Sequence, residues 1–277
     1  MKNQKFKKFI SLSLSLLFFP FIYLFGWIII TLTIDIFPTL GSEKSLIGTI
    51  ITFFLFLISF PLWTKYKWNK KFTQVVGFLY FKNKVLKYDL IIEFVKALSI
   101  NCIILCLIII QGSSKIIFNL NLYTLLNCLF LGILVGIAEE LIFRAWLVEE
   151  LSLFLNTKNS NFFQALVFSL AHLRFDYGIL SNFQLLAGLF FLGLYLNNWR
   201  MKKYPTILSP VCFHGALVGI WFFINNTFLD IQPNVPNLLF GPGEGNDINP
   251  IGGFIGISLL VTLNIFNKNS HNNLSKI

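Results

Sequence analysis

The chain alternates long apolar runs with short polar stretches. Eight runs can be drawn, at about 10–32, 46–64, 90–110, 121–148, 161–175, 183–199, 206–226 and 251–266. None alternates apolar and polar residues with the period of two that a strand with one solvated face would show, so each is predicted to be a helix. A helix needs about 20 apolar residues to cross the hydrocarbon, and only helices or closed barrels satisfy their backbone there. The expected fold is therefore all-α: a polytopic transmembrane helical bundle of about eight spans, forming a single membrane domain over residues 1–277. The fifth and last runs are short and are expected to tilt less or to span only partly.

Composition agrees with this pattern. Hydrophobic residues make up 56% of the chain and charged residues 12%, with a mean hydropathy of +0.73. That is too little polar surface to coat a soluble globule. The N-terminus, Met1 to Lys8 followed by the run from Phe9 to Leu32, has the outline of a signal peptide. The run exceeds the usual length and has no convincing small-residue cleavage site, so it is expected to be retained as the first span.

The net charge of +10 would point to nucleic acid in a soluble protein. Here most Lys and Arg fall in alternate loops, as membrane topology requires. Lys2, Lys5, Lys7 and Lys8 precede the first run; Lys65, Lys67, Lys70, Lys71, Lys82, Lys84 and Lys87 follow the second. Lys158, then Arg200, Lys202 and Lys203, then Lys268 and Lys276 follow the fourth, sixth and eighth. The other side receives only Lys44, Lys115 and Arg174. The expected partner of the basic face is the lipid bilayer and not nucleic acid, with both termini cytoplasmic in a bacterial-type plasma or internal membrane. The segment 225–253 carries Asn, Pro and Gly but no Lys or Arg, and is expected to be an outward, turn-rich loop. Cys102, Cys106, Cys128 and Cys212 lie in apolar runs without metal-ligand spacing and are expected to be buried thiols without chemistry.

Once loop charges are set aside, few ionisable residues remain inside the runs: Glu139, Glu140, Arg144, His172 and His214, with Glu93 and Lys96 near the start of the third. Burying a charge in hydrocarbon costs at least about 2.5–3.5 kcal/mol, so each implies a partner or a wet cavity. Glu140 and Arg144 are four apart with the acid first, the favourable order for an ion pair. Glu139 is rotated by about 100° from Glu140, leaving it free to face a cavity as a carboxylate suited to general-base work. A simpler alternative makes the cluster a snorkelling charge group at the interface, together with Glu149 and Glu150. Phe168 and His172 share a helical face in the fifth run, and His214 lies deep in the seventh.

These residues form an ordered set. AEELIFR contains an EExxxR motif, Phe168 to His172 is FxxxH, and a third histidine, His214, follows. The set resembles the CPBP family of intramembrane proteases, also known as the CAAX prenyl endopeptidase and Abi family, over a core of about residues 120–226. The resemblance implies an eight-helix glutamic-type endopeptidase acting on a peptide or membrane-protein substrate, without a cofactor. By that resemblance Glu139 and His172 activate a water, His214 stabilises the oxyanion, and Glu140 and Arg144, with Phe168, support the site. The family's third motif is often HxxxN or HxxxD, whereas Val218 stands at its last position here. A missing oxyanion donor typically lowers rate by about 100–1000-fold. Three outcomes stay open: a slow protease, one that recruits another donor such as Asn225, or a non-catalytic membrane chaperone, scaffold or immunity-type protein on the same fold. A divalent metal such as zinc, held by Glu139, His172 and His214, is a further alternative, although no HExxH is present.

Overall fold

The computed structural model describes residues 11, 13–77, 80, 83–200 and 206–274. Lys2, Lys5, Lys7, Lys8, Lys82, Lys202, Lys203 and Lys276 of the expected basic face lie outside them, as does the Lys268 side chain.

The main elements are helical. In chain order they are α1 (Phe18–Ile36), α2 (Lys44–Trp68), the short α3 (Phe72–Val76), α4 (Lys84–Ile110), α5 (Leu122–Glu139), α6 (Val148–Ser152), α7 (Thr157–Leu170), α8 (Ile179–Arg200), α9 (Leu208–Thr227), the short α10 (Asn237–Phe240) and α11 (Phe254–Leu274). Asparagines start three of them. The side chains of Asn83, Asn121 and Asn156 accept from the backbone N–H of Val85, Thr124 and Asn159 at 2.8, 2.7 and 2.9 Å, satisfying donors that the first helical turn leaves open.

The protein is a multi-pass helical membrane bundle. Among the described residues six helices are long and apolar enough to cross a membrane: α1, α2, α4, the continuous stretch Leu122–Ser152, α8 and α9. The remaining two of the eight expected spans are shorter. Helix α7 has 14 residues, about 21 Å at 1.5 Å per residue against about 30 Å of hydrocarbon, and the apolar part of α11 covers only Phe254–Asn267. The fifth run was expected to remain helical through residue 175, but α7 ends at Leu170. His172 therefore stands in the turn that follows.

Helix α9 sits at the centre. It crosses α5 with almost no space between backbones: a Cβ on Gly132 would lie 2.6 Å from the Gly215 carbonyl oxygen, and one on Gly219 would lie 2.7 Å from that of Cys128. Each helix presents glycines four apart, Gly132 and Gly136 against Gly215 and Gly219, the small-xxx-small spacing that lets membrane helices touch. Amides join the other side of the bundle. Asn197 donates to Asn161 at 3.0 Å, Asn161 to Asn198 at 2.9 Å and Asn198 to Asn264 at 3.3 Å, linking α7, α8 and α11.

The segment 225–253 is more built than a turn-rich loop. Its strand β2 (Leu229–Ile231) pairs antiparallel with β1 (Ser114–Ile116), with Lys115 opposite Asp230. Asn246 anchors it, donating to the carbonyls of Asn225 and Leu229 at 3.0 and 3.1 Å and accepting from Ile231 N–H at 2.7 Å. Gly188 of α8 lets the segment come close, because a Cβ there would sit 2.2 Å from the Ile251 carbonyl oxygen. The cysteines also depart from expectation: Cys128 is buried, but Cys102 and Cys106 are exposed on α4 and Cys212 is intermediate. An apolar run sets how deep a residue lies, not whether it faces neighbouring helices or lipid.

Candidate active site

Glu139 ends α5, and the chain continues without a break through a π-helical segment, Glu140–Leu147, into α6. A π-turn inserts an extra residue into the helical ladder and is frequent at functional positions. Glu140 and Arg144 stay paired across it at 2.9 Å, both side chains wholly buried. The interfacial snorkelling alternative does not hold for them.

Helix α9 brings His214 to the same place. The His214 Nδ1 lies 2.9 Å from Glu140 Oε1, the oxygen that also receives Arg144. A carboxylate oxygen only accepts, so His214 Nδ1 carries the proton and its Nε2 points away. That Nε2 is 3.8 Å from Glu139 Oε2. His172 arrives from the turn after α7, its Nδ1 held 2.8 Å from the Phe168 carbonyl oxygen. The same reasoning puts its proton on Nδ1 and leaves Nε2 facing Glu139 Oε2 at 3.6 Å. Two imidazoles from separate elements thus converge on one carboxylate oxygen, at separations slightly beyond a direct hydrogen bond.

Burial differs across the group. The Glu139 and His172 side chains keep 24% and 31% of their surface exposed, against 4% for His214 and none for Glu140 and Arg144. The acid and imidazole are partly open, although the Glu139 Oε2 that faces both histidines is itself enclosed, and His214, Glu140 and Arg144 form their support. Phe168, fully buried, joins the two groups. The Arg144 guanidinium lies 4.2 Å from its ring centre, and the ring meets His172 and His214 edge-on at 4.9 and 6.0 Å.

Six of the residues named from sequence are brought together here: Glu139, Glu140, Arg144, Phe168, His172 and His214. Asn225 is not. It lies at the far end of α9, where its side-chain amide donates to the Asn246 carbonyl, so it cannot replace the amide missing at Val218. Val218 itself lines a cavity of about 390 Å³ between α4, α9 and the 246–251 stretch, with Asn101, Arg174, Tyr177, Trp221 and Asn225 also on its walls. Glu139, His172 and His214 do not line that cavity; it begins one turn along α9 from His214. No cluster of three or more His, Cys, Asp and Glu with a geometry able to hold a metal ion occurs among the described residues, and the Glu139, His172 and His214 set does not form one.

Sequence reading missed the glycines that allow this convergence. Gly215 adjoins His214, and Gly136 precedes Glu139 by less than one turn. The repeated GxxxG spacing, GILVG in one run and GALVG in the other, carried the signal. It also missed Glu150, which is buried and accepts from Trp63 Nε1 at 2.7 Å and Trp68 Nε1 at 3.1 Å.

A helical membrane bundle with a Glu, His and His cluster between its elements defines the general class as a multi-pass membrane protein with a polar site. Comparison with known proteins narrows it: residues 121–220 match the family model described as type II CAAX prenyl endopeptidase Rce1-like, so this stretch is similar to that family. Residues 5–72 match a domain of unknown function, DUF8676. No curated protein matches the chain.

Proposed function

We propose that the chain is an intramembrane endopeptidase that hydrolyses a peptide bond of a peptide or membrane-protein substrate. The observation that carries this reading is the convergence of His172 Nε2 and His214 Nε2 on Glu139 Oε2. A water beside this group has two O–H donors, enough for Glu139 Oε2 and His172 Nε2, which leaves His214 Nε2 for the substrate.

In this mechanism the water oxygen attacks the scissile carbonyl carbon as its proton passes to Glu139, with the His172 Nε2 orienting the water. The carbonyl oxygen becomes an oxyanion. His214, fixed through Nδ1 by Glu140, donates to it from Nε2 when that nitrogen is protonated. The C–N bond then breaks, and the proton on Glu139 leaves with the amine. Glu140 and Arg144 are positioning residues: the buried pair fixes the His214 ring and neutralises its own charge. Arg144 remains with Nε and Nη2 unpartnered among the described residues, so Phe168 beneath it supplies the cation with an aromatic face.

In this reading both termini are cytoplasmic, which the distribution of Lys and Arg along the sequence supports. The test is to compare membrane proteomes of cells carrying the wild-type chain and Glu139→Gln. A membrane protein that accumulates uncut only with the variant is expected; identical proteomes would remove Glu139 from any hydrolytic role. A second reading, a non-catalytic scaffold or chaperone, is favoured by Val218, which offers the oxyanion no donor. On that reading the phenotype of the chain survives alanine at both His172 and His214.

A further inference from the structure

The stretch Leu122–Ser152 is one continuous helix that carries Glu139, Glu140 and Arg144, and its two ends are held differently. The first half is fixed by the glycine crossing with α9. The second half, from the end of the π-segment onward, is held by α1 and α2, the helices that lie within the matched 5–72 region.

The hold is specific. Glu150 is fully buried, and its two carboxylate oxygens are taken by three residues of α2: Trp63 and Trp68 through their indole N–H groups at 2.7 and 3.1 Å, and Lys67 through its ammonium at 3.0 Å. Lys67 also bonds the Ser15 hydroxyl and lies 4.7 Å from the Trp63 ring centre. One turn earlier Trp146, 3% exposed, packs against Phe18 and Phe19 of α1 at 5.8 and 6.2 Å. The neighbouring Glu149 pairs with Lys70 at 2.7 Å and lies 3.6 Å from Arg200. A buried carboxylate that accepts two indoles and one ammonium is fully committed to this partner, because removing any donor leaves charge uncompensated in a dry site.

A π-segment has poorer hydrogen-bond geometry than an α-helix and persists where its surroundings hold it. Relaxing it to α-helix would rotate everything beyond it by about 100° and slide it by about 1.5 Å relative to the first half. Fixing Glu150 and Trp146 in place prevents that rotation. Glu140 and Arg144, both inside the π-segment, then keep the phase that lets them meet each other and His214.

We infer that α1 and α2 form an intramolecular brace for the catalytic helix, and that Glu150 is the positioning residue through which the brace acts. This assigns a role to the 5–72 region, and it rests on the endopeptidase reading only for its effect on hydrolysis.

The test uses the full chain with its four cysteines changed to serine, and with spin labels on Phe130→Cys and Leu153→Cys, both exposed positions on either side of the π-segment. In Glu150→Leu the label-to-label distance is expected to shift by at least about 3 Å or to split into two populations. Glu150→Gln still accepts both indoles and is expected to stay near the parent value. Melting temperature is followed in parallel. A changed distance in a variant that remains folded supports the brace, as does a graded response from Gln to Leu. An unchanged distance in folded Glu150→Leu overturns it, as does an equal change in both variants. If Glu150→Leu does not fold, Trp63→Phe with Trp68→Phe removes both indole donors and is judged by the same distance. Because the readout is a distance, failure of the endopeptidase reading leaves this outcome legible.

Discussion

Substituting Gly215 by alanine tests how the site is assembled. The added Cβ would lie 2.5 Å from the Gly132 carbonyl oxygen, whereas ordinary contact begins at 3.4 Å. The obstacle is backbone, which cannot swing aside as a side-chain tip would, so α5 and α9 must part by about 0.9 Å. Such overpacking typically destabilises by about 1–3 kcal/mol. The effect on chemistry is larger. His214 rides on α9 beside Gly215, and Glu139 on α5, so their separation of 3.8 Å widens and the His214 Nε2 is drawn back from the position in which it serves the oxyanion. A displacement near 1 Å commonly lowers rate by about 100-fold. The assay pairs thermal unfolding of purified protein in detergent with accumulation of the uncut protein identified through Glu139→Gln. Gly178→Ala is the control, because nothing lies within 4 Å of its added Cβ. Wild-type processing in folded Gly215→Ala would refute the reasoning that the glycine crossing sets the active geometry.

Two further outcomes follow from the same site. Arg144→Met leaves Glu140 buried with His214 as its remaining partner, and is expected to destabilise by about 3–5 kcal/mol, read as a fall in melting temperature; an unchanged melt would mean that Glu140 is neutral in the folded protein. Metal analysis of the purified chain is expected to give no stoichiometric zinc, and zinc bound one to one but lost in His172→Ala and His214→Ala would replace the Glu139 general base with a metal-centred mechanism.

Much of this arrangement was legible in the sequence because the bilayer makes buried charge expensive. Glu139, Glu140, Arg144, His172 and His214 stood out as ionisable groups inside apolar runs, and the helical spacing of Glu140 and Arg144 was enough to pair them. Apolar length also located the helices, since each long run became one. Length could not show that the fifth run is shorter than it looks: AHLRF after α7 is still largely apolar, yet the backbone turns there and gives His172 its place. Nor does a one-dimensional pattern reveal partners distant in sequence. Glu149 and Glu150 read as an interfacial pair until α2, more than 80 residues earlier, supplies two indoles and an ammonium. The segment 225–253 was similarly opaque, because its order depends on Asn246 bonding to three backbone positions at once.

The shortness of α7 matters beyond the placement of His172. A helix of 14 residues covers roughly two thirds of a hydrocarbon layer about 30 Å thick, so this flank of the bundle is shorter than the six full-length helices. Lipids meeting such a step thin or tilt to follow it. The bilayer is therefore expected to be thinner beside the polar turn with His172, Arg174 and Asp176 than along the longer helices.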